Sequence, residues 1–234
     1  METQAKRLNK FIADSGYCSR READRLIDEG RVLIDGRVGV LGDKVTLGTV
    51  VTVDGHPLSG SGEKVYLILN KPVGIVCTAD PREPMNVVDY INYPIRIFPV
   101  GRLDKDSHGL LLLTSDGEIV NRLLRAAGGH EKEYEVEVDR PVTREFLEGM
   151  MKGVPILDTV TLPCKIRRTG DRSFNIIIVQ GLNRQIRRMC EYFGYNVKSL
   201  RRIRIMNLKL GNLKPGQWRE VTKAEFDELM KQLT

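Results

Sequence analysis

The stretch from Gly101 to Gly117, GRLDKDSHGLLLLTSDG, contains side chains that could do chemistry beside a segment that could hold them in place. It begins with a polar, glycine-punctuated loop whose candidate side chains are Arg102, Asp104, Lys105, Asp106, Ser107 and His108. A loop carboxylate such as Asp104 can attack an electrophilic carbon or accept a proton. The bland alternative is a solvated turn residue, so the surrounding sequence must decide between the two.

The residues after this loop predict the elements that would position Asp104. Four consecutive leucines, residues 110–113, are typical of a short buried strand. Ser115 and Glu118 form the S-x-x-E pattern of a capping box, which predicts the start of a helix. A loop in front of a buried strand and a helix can hold a carboxylate at the edge of a cleft.

A second stretch, Gly181–Gly194, combines arginines with apolar residues at helical spacing, which predicts an amphipathic helix. From Gly181 to Arg219 the chain has ten lysines and arginines and a single acid, Glu191. This local excess is larger than the net charge of +6 of the whole chain. Such a concentration of positive charge indicates a surface for nucleic acid.

Composition sets the outer limits. The 234 residues suffice for one ordinary domain and a small one, and no apolar run has the length of a membrane span. The first residues lack the apolar segment of a signal peptide. The four cysteines and three histidines are scattered, without a C-x-x-C pair, which argues against a zinc site and a disulfide framework. We therefore expect a protein of the reducing cytoplasm.

Residues 6–55 predict a separate compact module. Two helical patterns, the second opened by a capping box at Ser19 and Glu22, precede short strands alternating with turns. The composition of residues 59–64, SGSGEK, predicts a flexible linker. We therefore expect two domains, residues 1–60 and residues 61–234.

Strand patterns are visible in the second half. Residues 132–138, KEYEVEV, alternate between charged and apolar side chains, as in a half-buried strand. The apolar alternation of residues 201–210 shifts near Met206 and Asn207, which predicts a β-bulge. Trp218 is the only tryptophan, and we expect it in the core.

The N-terminal string RLNKFIADSGYCSRREADRLIDEGRVLIDGRVG resembles the S4 RNA-binding domain. The resemblance implies that the two helices and the following turn grip RNA backbone through basic side chains: Lys6, Arg7, Lys10, Arg20, Arg21 and Arg25. Residues 1–62 contain nine basic and nine acidic residues, so an RNA face requires these charges to be segregated. The alternative is a solvated face of ion pairs.

The loop-and-strand stretch closely resembles the catalytic motif of the pseudouridine synthases, GRLD followed by GLLLLTNDG, with Ser115 where Asn is common. NKPVG at residues 70–74, K-x-Y at residues 132–134 and GLNRQIRRM at residues 181–189 resemble further motifs of that family. Leu182 stands where arginine is usual, and we expect this difference to affect RNA contacts more than chemistry.

The resemblance implies roles for three residues. Asp104 corresponds to the essential aspartate, Tyr134 to a tyrosine that stacks on the target base and relays a proton, and Arg187 to the charge partner of the aspartate. An arginine there would favour the ionised carboxylate and fix its direction. Lys71 is either an RNA contact or a turn residue. The basic side chains expected to bind RNA in this domain are Lys71, Arg102, Arg184, Arg188, Arg201, Arg202 and Arg204.

The resemblance also implies an α+β fold. A small S4 (αL-type) domain is expected to be joined to a catalytic domain with a mixed, mostly antiparallel sheet flanked by helices. Isomerisation breaks the bond from C1′ to N1 of uridine and forms one to C5, so no cofactor and no metal are implied. Asp104 could attack C1′, attack C6 or remove a sugar proton. The target base must leave its stack and be stacked elsewhere.

Within the family, the strings HEKEYEVEVDRP and QGLNRQIRRMCEYFGY resemble enzymes that modify 23S ribosomal RNA near the peptidyl-transferase centre, at the uridine 2604 type of site. A tyrosine tRNA anticodon is a second candidate substrate. The alternatives are a 16S or another 23S ribosomal RNA synthase, and a non-catalytic S4 ribosome-assembly factor. We expect a monomer without a membrane partner.

Overall fold

The computed structural model describes residues 5–58, 63–124 and 129–233. The chain divides into two compact units. The first contains Met1–Val65 with two short later segments, Tyr93–Ile97 and Ser115–Gly117. The second contains Tyr66–Asn92, Phe98–Thr114 and Glu118–Thr234. The predicted linker falls largely on residues 59–62, which lie outside the described residues.

The first unit is two helices packed with short strands. Its helices are α1 (Leu8–Asp14) and α2 (Arg20–Asp28), and its strands are β1 (Lys6–Arg7), β2 (Val32–Ile34), β3 (Arg37–Val38), β4 (Lys44–Val45), β5 (Val51–Val53) and β6 (His56–Pro57). Four strands form an antiparallel sheet in the order β3-β2-β5-β6. The predicted cap is confirmed, because the Ser19 hydroxyl accepts from the Glu22 amide at 3.1 Å. Leu8, Ile12 and Ile27 lie in the core of this unit.

The second unit is built on one large sheet. Its strands are β7 (Tyr66–Lys71), β8 (Phe98–Val100), β9 (His108–Thr114), β10 (Lys132–Val138), β11 (Pro155–Ile156), β12 (Thr159–Val160), β13 (Lys165–Arg168), β14 (Ser173–Ile178), β15 (Val197–Ile205), β16 (Leu208–Lys209) and β17 (Trp218–Glu220). The main order is β13-β14-β10-β15-β9-β7-β17, with β16 on β15, β8 on β9, and β11 pairing with β12 apart. Only the β15–β9 pair of the main order is parallel, so the mixed, mostly antiparallel sheet is confirmed.

Helices flank this sheet. They are α3 (Val87–Ile91), α4 (Gly117–Leu124), α5 (Arg144–Met151), α6 (Gln185–Tyr192) and α7 (Lys223–Gln232). Ile119 of α4 and Leu229 of α7 pack with Leu110 and Leu112 of β9 in one hydrophobic cluster. The four leucines 110–113 are fully buried, which confirms the predicted strand at the centre of the sheet. Phe146 of α5 contributes to a separate aromatic group.

Gly109 allows β9 and β15 to approach each other. Its φ is +100°, a region that favours glycine. A Cβ atom at this position would lie 2.3 Å from the carbonyl oxygen of Arg202. The parallel register pairs Gly109 with Arg202 and His108 with Arg201. The glycine therefore fixes Arg202 beside the end of the loop that contains Asp104.

Three local expectations are wrong. The first is the capping box at Ser115. Helix α4 begins at Gly117, and the Ser115 hydroxyl instead accepts from the backbone amide of Val65 at 3.0 Å. Met206 and Asn207 form the two-residue turn of a hairpin between β15 and β16, not a bulge, because Ile205 pairs with Leu208. Trp218 is 41% exposed because it lies on β17, the edge strand of the sheet.

Candidate active site

One cavity of about 940 Å³ opens beside the loop before β9. It is lined by residues of that loop, of β10, of β15 and of the segment that enters α6, among them Arg102, Asp104, Lys132, Tyr134, Arg184 and Arg202. Its volume is within the range of small-molecule sites in proteins. The structure therefore brings Asp104 and Tyr134, which are 30 residues apart in sequence, to the wall of one cavity.

Asp104 lies beside two arginines, Arg184 at the start of α6 and Arg187 within that helix. The Oδ2 atom is 3.5 Å from Nη1 of Arg184 and 4.0 Å from Nε of Arg187, and the carboxylate side chain is 32% exposed. The Nε atom of Arg187 is buried and has no hydrogen-bond acceptor among the described residues. Because catalytic contacts are often long before substrate binds, this unused donor beside Oδ2 is suited to tighten on a bound substrate.

Arg187 holds the loop as well as the carboxylate. Its Nη2 atom donates to the carbonyl of Asp106 at 3.1 Å and to the Ser107 hydroxyl at 3.2 Å, and its Nη1 atom donates to the carbonyl of Val197 at 3.3 Å. The side chain is buried. The sequence predicted a charge pair with Asp104, and the structure adds a tie between α6, β15 and the loop.

Asp106 pairs with the same two arginines, a contact that the sequence analysis did not predict although it named Asp106 in the loop. Its carboxylate lies 3.3 Å from both Arg184 and Arg187. Burial raises the pKa of Asp106, but the hydrogen bond from Arg184 and the charges of both arginines outweigh it and lower the pKa. Arg184 adopts a left-handed backbone conformation with φ of +48°, which turns the chain into α6. Only the spacing of two residues from Asp104 could have indicated Asp106.

Lys71 is wrong as a predicted RNA contact. Its side chain is fully buried in β7, and Nζ donates to the carbonyls of Pro72, Asp104 and Ser107 at 3.0, 3.2 and 2.8 Å. Burial lowers the pKa of Lys71. The amide of Gly74 also donates to the carbonyl of Lys105 at 2.8 Å. The NKPVG segment therefore fixes the backbone of the Asp104 loop.

Lys71→Met should lower both stability and turnover. Three loop carbonyls lose their donor, and one unsatisfied buried group costs about 1–3 kcal/mol of unfolding free energy. We expect a reduced single-turnover rate at saturating RNA with nearly unchanged RNA affinity. Lys105→Met, which removes an exposed lysine of the same loop, is the control for charge alone. A variant with weaker RNA binding and an intact rate would restore the contact hypothesis.

Tyr134 lies on β10 opposite Arg202 of β15. The tyrosine is buried except where it meets the cavity, and Nη1 of Arg202 donates to its hydroxyl oxygen at 3.4 Å. The guanidinium carbon is 5.9 Å from the ring centroid. The ring is therefore held in the wall of the cavity, where a base could stack on it.

The predicted basic surface is partly neutralised. Arg202 is only 3% exposed, so it is wrong as a surface phosphate contact. Arg204 donates to Glu133 at 2.8 Å and Glu131 at 3.0 Å, and Arg201 donates to Glu135 at 3.2 Å. The charge count within residues 181–219 could not include these acids, because Glu133 and Glu135 lie on the neighbouring strand β10 and Glu131 lies just before it.

The remaining predicted RNA contacts differ in their surroundings. Arg102 and Arg184 line the cavity, whereas Arg188 is partly exposed and donates to the carbonyl and side-chain oxygens of Asn183. In the first unit, Lys6 pairs with Asp14, and Arg25 pairs with Glu22 and Glu29. Lys10 is partly exposed. The exposed cations of that group are Arg7, Arg20, Arg21 and Arg25.

Two further residues of the cavity were missed. Lys132 is the first residue of the K-x-Y motif, and burial together with the charge of Arg202 lowers its pKa. Cys77 accepts from the amide of Leu103, immediately before Asp104, at 3.3 Å. The motif could have indicated Lys132, but nothing in the sequence indicated Cys77. Among the described residues, no three His, Cys, Asp or Glu side chains cluster closely enough to hold a metal ion.

Comparisons with known proteins define the class. The RNA pseudouridylate synthase family matches residues 65–192, and the S4 domain matches residues 6–51. A solved structure entitled crystal structure of pseudouridylate synthase superposes with a TM-score of 0.70 at 29% identity, covering 96% of this chain and 99% of its own. The chain therefore belongs to the RNA pseudouridine synthases that have an N-terminal S4 domain, and its substrate is RNA.

Individual relatives extend this assignment. The chain is 53% identical over 227 residues to the dual-specificity RNA pseudouridine synthase RluF of Escherichia coli K12 and 54% identical to that of Salmonella typhi, covering 96% of this chain and 78% of each relative. It is 38% identical to the ribosomal large subunit pseudouridine synthase B of Bacillus subtilis, covering 96% of this chain and 95% of the relative. In the described part of the chain, no helix has the length and apolar character that crossing a membrane requires.

Proposed function

We propose that this enzyme isomerises one specific uridine of 23S ribosomal RNA, with the anticodon uridine of a tyrosine tRNA as a second substrate. The similarity to relatives named as dual-specificity and as large-subunit synthases supports this choice over a 16S target. The single observation that supports catalysis is the cavity in which Asp104 and Tyr134 meet the arginines of α6. A non-catalytic assembly factor would leave that arrangement without a purpose.

In this proposal Asp104 is the catalytic carboxylate, Tyr134 supports the extruded base, and Arg187 orients Asp104. The target nucleotide leaves its stack and enters the cavity, where the ring of Tyr134 replaces the lost stacking partner. Asp104 then attacks C1′, attacks C6 or removes a sugar proton, and each route requires an ionised carboxylate at the base and sugar. Arg184 and Arg187 lie within 4.0 Å of Oδ2 and hold the direction of this carboxylate.

RNA binding is divided between the two domains, residues 1–60 and residues 61–234. Arg7, Arg20, Arg21 and Lys10 offer cations for phosphates on the S4 domain, and Arg102, Arg188 and Arg201 do so around the catalytic cavity. Phosphate contacts of this kind position the RNA without reading its sequence. The enzyme acts as a cytoplasmic monomer in this proposal.

Deletion of residues 1–60 should leave a folded catalytic domain with weaker or less selective RNA binding. The large sheet and its helices lie entirely after residue 65, whereas the apolar cluster of Leu8, Ile12 and Ile27 belongs to the first unit. Circular dichroism tests folding, and filter binding to target and non-target RNA tests selectivity. An insoluble fragment, or one with unchanged affinity and selectivity, would contradict the division of roles.

The experiment that tests the proposed function is tritium release from RNA labelled at C5 of uridine. We expect release from 23S ribosomal RNA and from tyrosine tRNA, and none from 16S ribosomal RNA. Overlapping 23S fragments then locate the target. Release from 16S RNA alone would identify a small-subunit synthase, and release from no RNA in spite of tight binding would identify an assembly factor.

A further inference from the structure

We propose that Arg202 is a positioning residue that fixes the hydroxyl of Tyr134 and stabilises the negative charge that develops on its oxygen while that oxygen relays the proton removed from C5 of the base. The inference rests on the proposed function. It gives a role in the reaction to Arg202, which the sequence analysis had placed among the residues expected to bind RNA.

The geometry around the Tyr134 oxygen supports this role. A guanidinium only donates, so the tyrosine oxygen accepts the bond of 3.4 Å from Arg202, and its own proton must point elsewhere. Arg202 is itself anchored, because its Nε atom donates to the carbonyl of Leu110 at 2.7 Å. Both residues line the cavity. The tyrosine oxygen is thus held against a fixed positive charge.

The charge of Arg202 has no counter-ion in the resting structure. No carboxylate of the described residues lies within 4.0 Å of it, whereas its neighbours in sequence, Arg201 and Arg204, both pair with glutamates. Its Nη2 atom is buried and has no acceptor among the described residues. A buried, unpaired charge is costly. Formation of a negative charge on the adjacent Tyr134 oxygen would relieve that cost.

Other groups around Tyr134 act in the same direction. Lys132 precedes it by two residues on the same face of β10 and lines the cavity, and Lys71 lies within electrostatic range of Arg202 from β7. The opposite neighbour on β14 is the apolar Ile176. Asp104, the acid on the cavity wall, already has Arg184 and Arg187 within 4.0 Å of its carboxylate. The surroundings of the phenol are therefore positive or apolar.

The proton balance of the reaction gives the Tyr134 hydroxyl a role. After the C1′–N1 bond breaks and the C1′–C5 bond forms, C5 still has its hydrogen and N1 lacks one. The Tyr134 oxygen takes the proton from C5 while its own proton passes to a water molecule, and N1 takes a proton from water. The hydroxyl is the same before and after the step, and no proton is gained or lost.

The test is a double-mutant cycle of Arg202 and Tyr134 on single-turnover tritium release at saturating RNA. Arg202→Met should lower the rate at neutral pH by about 100-fold, a typical contribution of general acid–base catalysis. RNA affinity should be nearly unchanged, so the loss should lie in the saturated rate and not in binding. In the Tyr134→Phe background the same change should have almost no further effect.

Arg202→Lys keeps the charge, so it should recover part of the rate, and it serves in the cycle if the Met variant does not fold. Arg144→Met, which changes an exposed arginine of α5 paired with Glu148, controls for loss of a cation. Losses at Arg202 that multiply with Tyr134→Phe, or an Arg202→Lys rate no higher than that of Arg202→Met, would assign Arg202 a structural role only. Absence of tritium release by the wild type would instead overturn the proposed function.

Discussion

Asp104→Asn is expected to abolish isomerisation while RNA binding survives. An amide neither attacks carbon nor accepts the proton, and the loss should reach about 10⁴-fold, the upper end for a general acid or base. RNA affinity should persist because neither the carboxylate of aspartate nor the amide of asparagine carries the positive charge that binds phosphate. Single-turnover tritium release and filter binding measure the two quantities separately.

Asp106→Asn is the matched control for Asp104. Both carboxylates lie within 4.0 Å of Arg184 and Arg187, but only Asp104 is part of the cavity wall. We expect a loss of less than about tenfold at Asp106, since removal of a partly exposed ion pair has a small effect. Equal losses at the two positions, or near-normal turnover in Asp104→Asn, would refute the catalytic assignment.

Arg187→Met should also be nearly inactive, for a different reason. The change removes the charge beside Asp104 and the donors that hold the Asp106 carbonyl and the Ser107 hydroxyl. Breaking a buried pair by removing one partner costs about 3–5 kcal/mol, which corresponds to a rate loss of about 10²–10⁴-fold if it is expressed in the transition state. Arg187→Lys keeps the charge but loses the planar fork, so its loss should be moderate.

The comparison variant is Arg201→Met on the neighbouring strand. Arg201 is partly exposed, and Glu135 is its one acidic partner among the described residues. Its loss should therefore weaken RNA binding and reduce the salt dependence by about one counterion. Its rate at saturating RNA should change little. If Arg187→Met altered affinity alone and kept the saturated rate, Arg187 would be an RNA contact and not the partner of Asp104.

Local patterns in the sequence predicted most of the site. The four leucines predicted β9, the capping box at Ser19 and Glu22 predicted α2, and the arginine-rich helix was predicted where α6 lies. These features depend on residues three or four apart, or on one continuous apolar run, so a short window contains the necessary information. The family resemblance then indicated which side chains belong together.

Pairing between strands was beyond such patterns. The register of β10 against β15 decides that Glu133 and Glu135 neutralise Arg204 and Arg201, and that Arg202 faces Tyr134. Register depends on distant segments, so a charge count along residues 181–219 overestimated the free positive surface. Lys71 was ambiguous for the same reason, because its acceptors include loop carbonyls more than 30 residues away.

Gly109 and Asp104 stand five residues apart in the chain but meet different requirements. The close approach of β9 and β15 requires the glycine for folding, and the reaction requires the aspartate. A gene copy that kept the glycine and lost the aspartate should still encode a folded protein that binds RNA without modifying it. Such a protein could act as an RNA chaperone or compete with the active enzyme. A copy that lost the glycine should encode a chain that does not fold, and the gene should be lost. Sorting related genes by these two positions would therefore separate proteins that have lost catalysis from active enzymes before any assay.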